Sequence, residues 1–541
     1  MRHAAAKAAG TVAAGVLVAC GAVVPAAAGG TLRWTECADL AAEEGLGLEC
    51  AEVRVPMIHE DGLEPGGTVV LALSRVPAAG QRQGTLLVNP GGPGSPGREW
   101  AAVVAERLPP DLRASYDVVG FDPRGTGAST PAVACDPGYF EPVRPDTVPA
   151  DEQAEQVLLE RAAAYARACE EHTGELLRHV TTVDHAADME HIRLALGVER
   201  IDYLGYSYGT YLGAVYATRY PDRVRRLVLD SVVHPGLPWY EGNLAQNRSL
   251  DAAARNFFSW TARHHDVYGL GTTGEQVAEH YYATREELAA QPAAGTVGPA
   301  ELEEAFILAA YASAVWPPLA QALSDRVVGG TDATLLAVYR RFGEDPDNDR
   351  TFGSYLATEC TDSPWPADWE TWRADTVKTH AEAPFVTWNN TWYNAPCRTW
   401  PVPARPWFQV DGTAVGGVLL VHATEDGPTP LAGAYAMRDR FPGARLVVED
   451  GGVDHGVTLS GNPCVDRVFA DYLRYGTLPA AGGGADGADL TCGARPQPDP
   501  HPAAGDGGGE HAGRAAPRPP GGSAKATVCA FPPPVLRLRL P

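Results

Sequence analysis

The chain has 541 residues, of which 45% are hydrophobic and 20% charged, the proportions of a folded protein and not of a disordered one. That length exceeds one ordinary hydrophobic core, so two domains, or one domain carrying a large insertion, are expected. A formal net charge of −24 argues against the basic surface that phosphate backbones require, so nucleic acid is not an expected partner.

The chain opens with MRHAAAKAAGTVAAGVLVACGAVVPAAAGG, in which Arg2 and Lys7 form a basic start, an apolar stretch follows and small residues close. This is the pattern of a signal peptide, placed at residues 1–28. The apolar part is short and rich in Ala and Gly, so a stop-transfer helix is a poorer reading, and no later stretch could span a bilayer. LVAC at 17–20 also fits a lipobox in which Cys20 becomes the lipidated first residue. Secretion is the expectation, and a lipid anchor on the outer face of the membrane is its alternative. Export predicts disulfides, and eight of the ten cysteines fall into sequence-local pairs. Nearness suggests Cys37–Cys50, Cys135–Cys169, Cys360–Cys397 and Cys464–Cys492, out of 105 ways of pairing eight cysteines, and leaves Cys529 over. No C-x-x-C or Cys/His cluster calls for a metal, and no cofactor is expected.

Apolar runs that end in glycine-rich or acidic turns follow one another along the chain. They are TLLVNPGGPGSPG (85–97), YDVVGFDPRGTGAS (116–129), RIDYLGYSYG (200–209), RRLVLDSVV (225–233), GGVLLVHATEDGPTP (416–430) and ARLVVEDGGVDHG (444–456). Helix-like segments at 151–172, 184–196 and 431–441 lie between them. Buried strands alternating with helices predict a mostly parallel sheet with helices on both faces, an α/β fold. The stretch 236–405 breaks the alternation with helical periodicity, and ten of the twelve tryptophans fall from Trp239 to Trp407. It reads as an inserted helical cap whose tryptophans fill its core, some of them lining a pocket. The core then occupies 29–235 and 406–495, and the low-complexity tail 496–541 is expected to be disordered.

A lone G-x-S-x-G is modest evidence, but here Gly205–Gly209 follows a strand and opens a helix. That context makes Ser207 a nucleophile held on a sharp turn, a stronger reading than a helix N-cap. A serine hydroxyl needs a base, and in hydrolases built on this sheet the acid and then the histidine follow in sequence. Of the nine histidines after Ser207, His455 alone sits in a glycine-flanked loop after a late strand. Asp426 closes the preceding strand and Glu425 is its rival, since neighbouring residues point opposite ways. The developing oxyanion would be met by the backbone N–H of Tyr208 and by that of Gly92 or Gly91 in NPGGPG. Asp122 and Arg124 are expected to brace the loops near the site, with a surface ion pair as the plainer reading.

NPGGPG, GFDPRGTGAS, LGYSYGTYLGAVYATRYPDRVRRLVLDSVVHP, TWNNTWYNAPCRTW and VLLVHATEDGPTP together resemble the secreted tripeptidyl aminopeptidases, in the prolyl-aminopeptidase branch of the α/β-hydrolases. The resemblance runs from Trp34 to Cys492. It implies an α/β-hydrolase fold, a triad of Ser207, Asp426 and His455, the same paired cysteines, and a serine exopeptidase acting on peptides with free N-termini. Two positions depart from the pattern: Pro90 replaces the histidine usual in prolyl aminopeptidases, and Asp454 stands where glycine is usual before His455. An exopeptidase also needs a counter-charge for the substrate ammonium. Glu359 and Asp362, flanking Cys360, are the candidates, ahead of Glu301, Glu303 and Glu304. An esterase or lactonase using the same triad is the alternative, and a catalytically idle binding fold is a third class.

Overall fold

A computed structural model describes Met1 and residues 32–40, 45–59, 66–343 and 348–500. Residues 2–31, which include most of the expected signal peptide and Cys20, and the chain beyond Pro500, with Cys529, lie outside the described residues.

Ten strands form one sheet: β1 (Thr35–Glu36), β2 (Glu49–Pro56), β3 (Thr68–Val76), β4 (Gly84–Asn89), β5 (Tyr116–Phe121), β6 (Ile201–Tyr206), β7 (Val224–Asp230), β8 (Val418–Ala423), β9 (Ala444–Asp450) and β10 (Leu490–Gly493). Their spatial order is β1-β2-β3-β5-β4-β6-β7-β8-β9-β10. The edge from β1 to β5 is antiparallel, and from β5 across to β10 every neighbouring pair is parallel. Six of these strands are the apolar runs read from the sequence. β5, β6 and β8 are buried at every position, as parallel strands covered on both faces must be. The four others, β1, β2, β3 and β10, were not anticipated. β2 alternates buried and exposed residues, and β1 and β10 are only 2 and 4 residues long.

The helices Glu152–Thr173, Thr182–Ala195 and Ala432–Arg440 lie where periodicity put them. Between β7 and β8 no strand intervenes among the described residues; eight α-helices of eight or more residues run from Trp239–Arg263 to Thr387–Asn394. Part of this insertion has a core of its own around Phe257, Trp260, Phe306 and Trp316. The helix Asp349–Asp362 instead sends Phe352 and Leu356 into the core shared with the sheet. The carboxyl ends of β4, β6, β8 and β9 all point to the same edge, where crevices open in parallel sheets. The four expected disulfides are formed. Residues 497–500, read as the start of a disordered tail, are hydrogen-bonded to the insertion. Trp260 Nε1 donates to Pro498 O at 3.2 Å, and Tyr268 Oη donates to Pro500 O at 3.2 Å.

Candidate active site

β6 ends at Tyr206 and the helix Tyr208–Arg219 starts at once, so one residue must make the whole turn. That residue is Ser207, held at φ 55° and ψ −126°, a conformation that side chains rarely adopt. Its N–H donates to Asp230 O at 3.0 Å. The neighbouring glycines are required by close approach. A Cβ on Gly209 would lie 2.8 Å from Asn89 O, and one on Gly91 would lie 2.9 Å from the Ser207 Cβ. The strained serine is thus wedged between β4, β7 and its own helix.

His455 lies in the loop after β9, fully buried, and its Nδ1 is 2.9 and 3.0 Å from the two Asp426 carboxylate oxygens. Thr429 N–H also donates to Asp426 Oδ1 at 2.9 Å. Burial pushes the Asp426 carboxyl up, but the His455 imidazole and its hydrogen bond outweigh that and hold it below the usual value. Asp426 is therefore the anion against His455, whereas its neighbour Glu425 is exposed. With Nδ1 facing a carboxylate, Nε2 is the basic nitrogen, and it is buried without a hydrogen-bond partner among the described residues.

The sequence reading missed what aims this histidine. The Asp230 carboxylate accepts from Val457 N–H at 3.0 Å and Thr458 N–H at 2.5 Å, and Gly456 N–H donates to Ser231 Oγ at 2.8 Å. Asp230 thus holds the nucleophile turn with its carbonyl and the histidine loop with its side chain. Burial pushes its carboxyl up to about 6, against the pull of the Thr458 and Val457 hydrogen bonds. The one available signal was its place at the end of RRLVLD. Asp454, the departure noted above, accepts from Ser313 N–H at 2.5 Å and pairs with Arg495 at 2.9 Å. It ties the histidine loop to the insertion, as does His455 N–H, which donates to Tyr311 O at 2.8 Å.

Ser207, Tyr208, Gly92, Tyr311, Thr429 and Glu359 line one cavity beneath the inserted helices. Gly91 does not fit as an oxyanion donor, because its N–H donates to Asn89 Oδ1 at 3.0 Å. Gly92, at φ 109°, lines the same cavity as Tyr208. Asp122 braces the loops, accepting from Gly97, Arg98 and Ala128 N–H. The surface ion pair is not what forms: Arg124 is fully buried and paired with Asp188.

The candidate counter-charges separate clearly. Glu359 reaches the cavity and accepts from Asn243 Nδ2 at 3.2 Å. It has no cationic partner among the described residues. Burial pushes it up to about 8, against the Tyr355 and Asn243 hydrogen bonds. Asp362 does not reach the cavity, since both its oxygens are spent on the Thr182 N–H (2.9 Å) and hydroxyl (2.5 Å). Glu301 and Glu304 pair with Arg144, and Glu303 with Arg285. The other late buried histidine, His422, is spent on the backbone: Val232 N–H donates to its Nδ1, and its Nε2 faces Thr429 O. Among the described residues no group of His, Cys, Asp and Glu could hold a metal, and no helix is long and apolar enough to cross a membrane.

A family profile described as the alpha/beta hydrolase fold matches residues 84–277, and one described as TAP-like protein matches residues 383–492. The chain is 39% identical over 472 residues to a tripeptidyl aminopeptidase of Streptomyces coelicolor, covering 84% of each. It is 30% identical to the serine protease Hip1 of Mycobacterium tuberculosis over 84% of this chain and 91% of that one. It is 34% identical to a carboxylesterase B of the same species over 82% and 88%. An elbow serine, a carboxylate-bound histidine and relatives matched along most of their length lead to one assignment: the chain belongs to the tripeptidyl-aminopeptidase-like family of α/β-hydrolases.

Proposed function

We propose that the chain is an exported serine exopeptidase that removes short units, tripeptides by the resemblance, from peptides with free N-termini. Ser207 Oγ attacks the scissile carbonyl while His455 Nε2 takes its proton, and Asp426 steadies the imidazolium that forms. The backbone N–H groups of Tyr208 and Gly92 meet the oxyanion. His455 returns the proton to the leaving amine, and water then releases the peptide from Ser207 by the same route. Export is supported by four disulfides and by the signal-like start; a lipid anchor at Cys20 is the variant of that reading.

One observation carries the peptidase reading. The cavity that holds Ser207 also holds a buried carboxylate, Glu359, that no cation neutralises among the described residues. Such a group is costly to bury and is satisfied by a ligand ammonium. Acetylating the substrate amine should therefore cost about 2–5 kcal/mol, on the order of thirtyfold or more in kcat/KM. The test compares a tripeptidyl chromogenic amide with its N-acetyl form, and the free peptide should be cleaved at least ~30-fold better. Equal rates would favour the esterase reading, which the carboxylesterase B relative keeps open as the second one.

A further inference from the structure

We infer that Asn243 and Asn390 form the partition that ends the substrate channel and so sets the length of the unit released; this rests on the peptidase reading above. The main cavity and a second, smaller pocket share these two residues in their walls. On the cavity side Asn243 Nδ2 donates to Glu359 Oε2, so the proposed ammonium site lies against the partition. On the far side the pocket is walled by aromatic rings. Trp365 and Trp372 stack at 5.5 Å, and Tyr240 packs edge-on to Trp372 at 5.0 Å.

The partition is pinned. Asn390 Nδ2 donates to Asn247 Oδ1 at 2.8 Å, and Asn390 Oδ1 accepts from Asn394 Nδ2 at 3.1 Å. Asn243 Nδ2 donates also to Trp239 O at 2.9 Å, and Asn394 Oδ1 accepts from Tyr355 Oη at 2.8 Å. Swinging either amide aside would leave buried polar groups without their hydrogen-bond partners, a costly rearrangement. A peptide whose ammonium docks at Glu359 is stopped there, and the span from that carboxylate to Ser207 fixes how many residues lie between. One more residue at the N-terminus would have to occupy the aromatic pocket, which the partition closes off.

The experiment uses the full chain and its Asn390→Ala, Asn390→Ser and Tyr240→Ala variants, with free-amine tri- and tetrapeptidyl chromogenic amides. Asn390→Ala and Asn390→Ser should raise the tetra-to-tripeptidyl kcat/KM ratio at least tenfold, most with Leu or Phe as the added N-terminal residue. Tyr240→Ala enlarges the far pocket without breaching the partition and should keep the wild-type ratio. A wild-type ratio in an Asn390 variant that still labels with a fluorophosphonate overturns the partition. Free-amine peptidyl aldehydes of one to five residues read the same thing on the unsubstituted chain. Inhibition should strengthen up to the released length and drop at least tenfold one residue beyond it; continued strengthening overturns the inference. Failure of the peptidase reading shows separately, as indifference of the wild-type chain to N-acetylation, and takes the partition with it.

Discussion

Two adjacent carboxylates, Glu425 and Asp426, end the run that enters the site, and the choice between them is a matter of which way each points. Alternation along a strand sends neighbours to opposite sides but does not say which side faces the histidine. Asp426 accepts the His455 Nδ1–H and is buried, while Glu425 is exposed to solvent. Replacing Asp426 with Asn removes the anion that orients the imidazole and steadies its charge. It should lower kcat by about 10³–10⁴-fold, whereas Glu425→Ala should change it less than about twofold. A larger loss at Glu425, measured on the same tripeptidyl amide, would reverse the assignment. The legible residues, Ser207 and His455, lay where glycines crowd the end of a strand, because only such turns present a side chain at the sheet edge. Glu359 and Asp362 could not be told apart in the sequence. They lie three residues apart on one helix, and only packing shows that Thr182 takes Asp362 and the cavity takes Glu359.

At the scale of elements, the site is made by the ends of four parallel strands, and β7 does more than fill the sheet between them. Its last residue, Asp230, ties the Ser207 turn to the histidine loop through its carbonyl and its carboxylate. Asp230→Asn places an amide donor against backbone N–H groups that need an acceptor, so the loop should loosen while the pocket stays intact. The expected outcome is a fall of about tenfold or more in kcat with KM moved less than twofold, the signature of an interaction that serves the transition state. An unchanged kcat would mean that the Gly456–Ser231 bond and the Tyr311 carbonyl hold the loop alone. The strands that position these residues were legible because burial on both faces writes a continuous apolar run. The antiparallel edge was not, since the alternating ECAEVRVP of β2 carries two charged residues at exposed positions and β1 pairs through only 2 residues. The insertion was legible as helical, but how its helices divide between two cores depends on contacts between segments far apart in sequence.

Across the whole molecule, buried carboxylates make stability depend on pH in a direction that can be worked out. Burial raises Asp362 to about 7 and Glu359 to about 8. In the unfolded chain both titrate near 4, so above that pH the folded state holds protons that the unfolded state has lost. Their stabilising contribution is complete below about pH 4 and is lost as pH rises through 7 and 8. Buried histidines oppose this at lower pH: burial holds His185 down to about 3, so it favours folding more as pH climbs to about 6.5. Above that the histidine is neutral in both states, and the carboxylates alone set the slope. From pH 6.5 to 8.5 the protein should lose on the order of 2 kcal/mol, a fall in Tm of about 2–5 °C by calorimetry. Glu359→Gln removes the larger part of that loss and should flatten the profile between pH 7 and 8.5. The same flattening should appear in the unsubstituted chain with a saturating free-amine peptidyl aldehyde, because an ammonium beside Glu359 stabilises its charged form. The N-acetyl aldehyde should leave the slope as it was. A Tm that rises from pH 6.5 to 8.5, or a slope that Glu359→Gln does not change, would mean that this carboxylate is not the buried group whose charging the fold resists.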